Sequence, residues 1–209
     1  MPGKIPKVNI QKKFRDKIDA YLEQAKAEEI HLYFFDPCHC VHNNVNGYEW
    51  QKKGRAGTKL VKANSGRQRL NVVGALNAIK KEPHVFLTEA NCNQELICMY
   101  LESLREQHPD QKKQIVLILD NAPYNHSHSV KKTAKRLNIK LVFLPAYCPN
   151  LNLIERLWKF LKKKTKTNNY CEKFEDFQNA ILYFFENLEI FRNELDSLLT
   201  PKFEIILAS

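Results

Sequence analysis

Glycine is scarce, with six in 209 residues. No GxxxxGK or GxGxxG pattern occurs, so the chain lacks the loops whose backbone amides cradle a nucleotide's phosphates, and no small-molecule cofactor is expected. Long apolar runs are missing too. No stretch approaches the roughly 18 residues of a membrane span. The first residues, MPGKIPKVNIQKKFRDKI, hold no apolar core for export. Six cysteines, at 38, 40, 92, 98, 148 and 171, show no disulfide-framework spacing, which suits a reducing, soluble compartment. Internal repeats and low-complexity linkers are absent. A hydrophobic content of 44% is enough for one substantial core, with one domain the default and two small ones possible.

What is abundant is positive charge. Lys and Arg number 33 against 23 acids, a formal net of +10. Such an excess serves solubility at the least. It also suits a polyanionic partner, most often nucleic acid.

Apolar periodicity divides the chain. Residues 8 to 28 place Phe14, Ile18, Tyr21 and Leu22 at helical spacing. Residues 31 to 36 (HLYFFD) are continuously apolar until an Asp-Pro stop, as in a strand buried on both faces. Residues 48 to 52, 69 to 77 and 84 to 88 read as further strands. Between the first two of these lies a loop-like basic stretch, GRAGTKLVKANSGR. A helix over 93 to 107 carries Leu96, Ile97, Tyr100, Leu101 and Leu104 on one face. Next come an apolar strand 115 to 119 ending at Asp120, a helix over 126 to 137, and a strand 141 to 144. The last of these leads through Pro145 and Pro149 into a helix carrying Glu155. The tail from 172 to 199 is helical, with Leu182, Phe184, Phe185, Leu188, Phe191, Leu195 and Leu198 as its apolar positions. Strands followed by alternating helix and strand predict an α/β domain with a mixed sheet covered on both faces.

The three most buried strands each lead to a carboxylate: Asp36, Asp120 and Glu155. Sites in open α/β sheets form at the carboxyl ends of strands. If the first two strands are parallel neighbours, their aspartates lie side by side and Glu155 can reach the same point. Three close carboxylates repel one another, and divalent cations resolve the conflict. An oxygen-only donor set suits magnesium or manganese, and two such ions can act together on a phosphodiester. Each acid alone has a plainer explanation: a turn before Pro37, an Asx turn at Asp120-Asn121, or a first-turn acid on a helix dipole. Their joint occurrence beside a strong positive charge favours the metal site. Steps of i+4, i+7 and i+11 from Glu155 land on Lys159, Lys162 and Lys166, predicting phosphate contacts along that helix, while Leu153, Leu157, Phe160 and Leu161 should pack inward. Arg55, Lys59, Lys62, Arg67 and Arg69 are candidates for tracking a DNA backbone.

The segments LDNAP (119–123) and LPAYCPNLNLIERLW (144–158) resemble the insertion-sequence DDE transposases related to the mariner superfamily. There a strand-end "DNA" precedes an "LPPYSPxLNPIExxW"-like segment. The spacing agrees, with 34 residues between Asp120 and Glu155. YFFD (33–36) matches the first aspartate, and residues 65–77 resemble the strand that follows it. The resemblance spans roughly residues 31 to 200. It implies a ribonuclease H-like fold, with a helical arm over 1–30, the catalytic domain over 31–170 and packing helices over 171–209. It implies cleavage of double-stranded DNA at transposon ends and strand transfer into target DNA. Asp36, Asp120 and Glu155 would hold two Mg2+ or Mn2+ ions, and the protein would act as a homodimer on DNA in the bacterial cytoplasm, associated with the nucleoid.

Several positions depart from the pattern. Cys148 stands where serine is usual and Leu153 where proline is common. Asn125 occupies a position often held by histidine, with His126 next to it. Asp36 is followed by Pro37-Cys38-His39 where many relatives carry an acid. Only one short helix precedes the first catalytic strand, so a helix-turn-helix reader of terminal repeats is expected elsewhere, and DNA binding by this chain alone is expected to be weakly sequence-specific. Cys38-His39-Cys40-Val41-His42 is cramped for zinc, and packing or supporting roles are expected there. Trp50 and Trp158 read as core residues, with base stacking a minority role for Trp50. Two other classes stay open: a ribonuclease H-like nuclease acting on hybrids or junctions, and a non-catalytic DNA-binding descendant.

Overall fold

The computed structural model describes residues 7–42, 68–166 and 170–206. The strand expected at 48–52, Trp50, Arg55, Lys59, Lys62 and Arg67 lie outside them. Five strands form one mixed sheet: β1 (Ile30–Val41), β2 (Arg69–Asn77), β3 (Pro83–Thr88), β4 (Gln114–Leu119) and β5 (Ile139–Phe143). Their spatial order is β3-β2-β1-β4-β5. The β1–β2 and β2–β3 pairs are antiparallel, and β1–β4 and β4–β5 are parallel.

Alternation on β1 explains why it sits at the centre. Leu32 and Phe34 enter one hydrophobic cluster, and Tyr33 and Phe35 enter the other. The first cluster is built with α1 (Val8–Lys26), α4 (Ile154–Thr165) and α5 (Phe174–Glu186). The second is built with α2 (Gln94–Glu106) and α3 (His128–Arg136). A strand sandwiched in this way has no solvent face, hence its unbroken apolar run. Asn93 and Ser127 cap α2 and α3 by accepting from the amides of Leu96 and Val130. The helix expected over 126–137 therefore begins after Ser127, preceded by a 3-10 turn, Pro123–His126. Among the described residues, no helix is long and apolar enough to cross a membrane.

Two expectations need correcting. The Asp-Pro step does not end β1, which continues to Val41 against β2. Pairing with β4 stops at Phe34, so Pro37 lies where β1 has become an edge and its missing N–H is tolerated. In the tail, Leu182 and Leu198 are exposed. The inward stripe of α5 is instead Phe177, Ile181 and Phe184, followed by Leu195 on α6 (Arg192–Leu198).

After α6 the chain runs back as an extended strap. Arg156 donates to the carbonyls of Leu198, Thr200 and Lys202, and its guanidinium lies over the Phe203 ring. Phe203 packs on Phe34, while Gln11 on α1 both donates to and accepts from the Ile206 backbone. The strap ties α1, β1 and the start of α4 together.

Candidate active site

The register places Phe34 beside Ile118 on parallel strands, so two residues further on Asp36 and Asp120 are neighbours. Strand β4 ends one residue before Asp120, and the space beyond its end is open. A cavity of about 380 Å³ forms there, lined by Asp36, Asp120 and Glu155 together with Asn121, Cys148 and Asn152. The exposed Tyr147, with a left-handed φ of 60°, stands on its rim.

Burial first, and then the charges of Glu155 and Asp120, push Asp36 up to about 8. The three acids therefore share one electrostatic environment. Among the described residues, no three His, Cys, Asp or Glu side chains are gathered tightly enough to hold a metal ion as they stand. Like charges favour that separation. The donor set nonetheless fits a hard cation, being all oxygen, part-buried and open to a cavity.

Each acid is braced differently. Behind Asp36 stands Trp158. Residue 74, opposite Asp36 on β2, is glycine, and a Cβ there would lie 2.8 Å from Trp158 Cη2 and 3.0 Å from Val85 Cγ1. The missing side chain is what lets the indole press on the sheet. The indole N–H then faces the Asp36 carboxyl, close enough to hold its pKa down somewhat yet short of hydrogen-bond geometry. Asp120 Oδ1 accepts from the Ala122 amide at 3.1 Å and from Asn125 Nδ2 at 2.9 Å. Tyr124 is nearby. Burial first, then the Asp120 charge, push its phenol well up.

Glu155 is set by what precedes it. Asn152 spends its side-chain amide on the Phe35 carbonyl, 3.1 Å away, clamping the α4 entry to the residue before Asp36. The N-cap position is Leu153, which offers no side-chain cap, and Glu155 sits in the first turn of α4, where the helix dipole favours an anion. Leu157, Trp158, Phe160 and Leu161 are buried, each contributing about 1.5–3 kcal/mol relative to exposure.

The lysine stripe is only partly as expected. Lys159 and Lys162 are exposed. Lys166 is buried, beside the Cys40 thiol, because α4 lies over the β1 extension. Cys38 and Cys40 face α4 with their sulfurs 3.8 Å apart, and His39 points to the opposite face, bonded to Asn71. Arg69 is exposed at the start of β2 and donates to Asn91.

Residues 31–178 match the family described as DDE superfamily endonuclease. The chain belongs to that family. It is 24% identical over 177 residues to the insertion element IS630 uncharacterized 39 kDa protein of Shigella sonnei, covering 81% of this chain and 48% of the relative. It therefore spans about half the length of that relative. Among solved structures it is similar to the Mos1 mariner paired-end complex with Mn, at a TM-score of 0.69 and 14% identity over 96% of this chain and 62% of the other. It also resembles the catalytic domain of Mos1 mariner transposase, at a TM-score of 0.60 and 13% identity over 96% and 93% of the two chains. At these identities the likeness shows the fold, a ribonuclease H-like mixed sheet flanked by helices.

Within the DDE fold, sequence reasoning missed the residues that brace the acids. Trp158 was read as core alone, and Tyr124, Asn125, Asn152 and Gly74 carried no assigned role. Only Asn152 had a readable signal, an amide three residues before the helix acid. The other braces act across strands or turns and become visible only once the sheet is assembled.

Proposed function

We propose that residues 31–170 are the catalytic domain of a transposase, with residues 171–209 packing on it, and that Asp36, Asp120 and Glu155 hold two divalent cations. The observation that carries this reading is the shared cavity: three carboxylates from three separate elements line one opening at the carboxyl end of parallel strands. The Mn complex of the mariner neighbour supports the choice of Mg2+ or Mn2+. When bound, such ions activate an attacking oxygen and stabilise a leaving one on a phosphodiester. The chain's own part is positioning. Trp158 walls Asp36 off from water on the core side, and the Ala122 and Asn125 donors fix Asp120. The Asn152 clamp holds the first turn of α4 against β1. Positioning supplies much of the rate in an in-line displacement.

Double-stranded DNA is the substrate. A water attacks in end cleavage and a DNA 3′-hydroxyl in strand transfer. Lys159, Lys162 and Arg69 contact phosphates, and Arg55, Lys59, Lys62 and Arg67 extend the basic track. The active species is a homodimer on DNA, in the cytoplasm at the nucleoid. The test is incubation with element-end duplex and Mg2+, comparing the native chain with Asp120→Asn. Cleavage and joining lost in the variant support the reading. Activity confined to RNA–DNA hybrids or junctions, or DNA binding without cleavage in the native chain, refutes it.

A further inference from the structure

Asn125 is fully buried in the 3-10 turn after Asp120. Its Nδ2 lies 2.9 Å from Asp120 Oδ1. The Ala122 amide approaches the same oxygen at 3.1 Å. Both donors fall on one carboxylate oxygen, and Oδ2 takes no hydrogen bond among the described residues. The turn itself is held from the backbone, where the Asn125 amide donates to the Ala122 carbonyl at 3.0 Å. Meanwhile Asn125 Oδ1 is buried without a partner among the described residues. Leaving that carbonyl unpaired costs about 1–3 kcal/mol, so packing alone does not account for an amide here. An apolar residue of the same volume would avoid the cost but could not donate to Asp120.

The geometry points to Asn125 as a positioning residue that occupies Asp120 Oδ1 and presents Oδ2 alone to a divalent cation, so that Asp120 binds through one oxygen. This rests on the metal-site reading above. Two donors on one oxygen fix the carboxylate's rotation about its Cβ–Cγ bond. They would also disfavour a bidentate grip by Asp120 on a cation, since Oδ1 already accepts twice. The amide donor is neutral and does not itself titrate. An imidazole in its place would donate similarly when neutral, but would bring a positive charge beside the ligand when protonated.

The test is Mn2+ binding to the full chain, measured by calorimetry and by the electron paramagnetic resonance of free Mn2+. The variants are Asn125→Leu, Asn125→His and Asp120→Asn. Leucine keeps the branched four-heavy-atom outline, though its methyls are bulkier, removes the donor and also removes the unpaired carbonyl; an unchanged circular dichroism spectrum and thermal midpoint would verify that it folds. Asn125→Leu should weaken Mn2+ binding by roughly 10- to 100-fold, the usual effect of losing a group that orients a ligand. Asn125→His should recover most of that loss above its own pKa and lose it again below. Wild-type affinity in Asn125→Leu, with affinity lost in Asp120→Asn, would overturn the positioning role and leave the metal site standing. Equal losses in Asn125→Leu and Asn125→His at all pH values would assign Asn125 to packing and overturn it as well. Unchanged binding in Asp120→Asn would instead remove the metal-site reading on which the inference rests.

Discussion

Strand β1 passes between two crowds of like charge, one at its start and one just past the point where its pairing with β4 ends. At its start, His31 stacks on His108 with ring centroids 3.8 Å apart, near Lys113, Arg105 and Lys80. Further along, Asp36 meets Asp120 and Glu155. Burial is the largest cause of the shift at both ends, and like charges add to it. His31 falls to about 4, while Asp36 rises to about 8. The basic end resolves its conflict internally. Neutral imidazoles stack, and His108 Nε2 shares a hydrogen bond of 2.8 Å with the Tyr33 hydroxyl. At the acidic end the available donors already serve to orient the carboxylates, and what remains opens onto a cavity. One crowd is discharged by losing protons at neutral pH. In the other, Asp36 needs a cation from outside to stay ionised at neutral pH. Crowding alone therefore does not mark a site; crowding that the fold leaves unanswered does.

The largest expected effect separates the two ends by activity. Asp36→Asn or Glu155→Gln should lower end cleavage by more than about 100-fold, since losing a ligand costs more than losing a group that supports one. His31→Gln should stay within about twofold of wild type on the same reasoning. A strong loss in His31→Gln would break the comparison.

Next in size is a pair of opposite pH slopes in metal-free protein. Asp36 binds its proton more tightly folded than unfolded, so its contribution is full below pH 3.8 and is lost as pH rises from there through about 8. His31 is held neutral in the fold, so stability is lost as pH falls from 6.5 towards about 4. Thermal midpoints measured across pH with a chelator present should show both declines, at roughly 2–4 °C per kcal/mol for a chain of this size. Asp36→Asn should flatten only the decline towards high pH, and His31→Gln only the decline towards low pH. Variants that flatten neither would show that these groups do not govern the slopes.

Gly74→Ala should destabilise by about 1–3 kcal/mol, because the new methyl meets Trp158 and Val85 inside a packed core. Urea midpoints read this, and a wild-type midpoint would show that Trp158 has room to shift. The smallest effect concerns DNA. Lys159→Gln and Lys162→Gln should each reduce the salt dependence of binding by about one unit of slope. Lys80→Gln and Lys113→Gln, at the basic end of β1, should leave that slope unchanged. The reverse pattern would move the DNA path to the wrong end of the sheet.

The described strands and the meeting of the three acids at one opening were legible for the same reason. Fully buried strands write continuous apolar runs, and each run led to its carboxylate. The parallel pairing that brings Asp36 beside Asp120 stood in the sequence only as a condition, which the register meets. Three things were not legible. Pro37 read as a stop because the sequence does not say where β4 ends. Lys166 read as solvent-facing because helical spacing does not reveal that α4 crosses the β1 extension, and Leu182 and Leu198 read as part of the tail's apolar set because the sequence does not show where α5 gives way to a 3-10 turn and α6. The braces at Gly74, Asn125 and Trp158 depend on distances between elements, which no local pattern carries.

The central claim is most directly tested by crystals of the protein soaked in Mn2+, with anomalous scattering used to find the ions. The account predicts peaks inside the cavity, coordinated by carboxylate oxygens of Asp36, Asp120 and Glu155. Peaks only elsewhere on the surface, or a cavity without anomalous signal at saturating Mn2+, would contradict it.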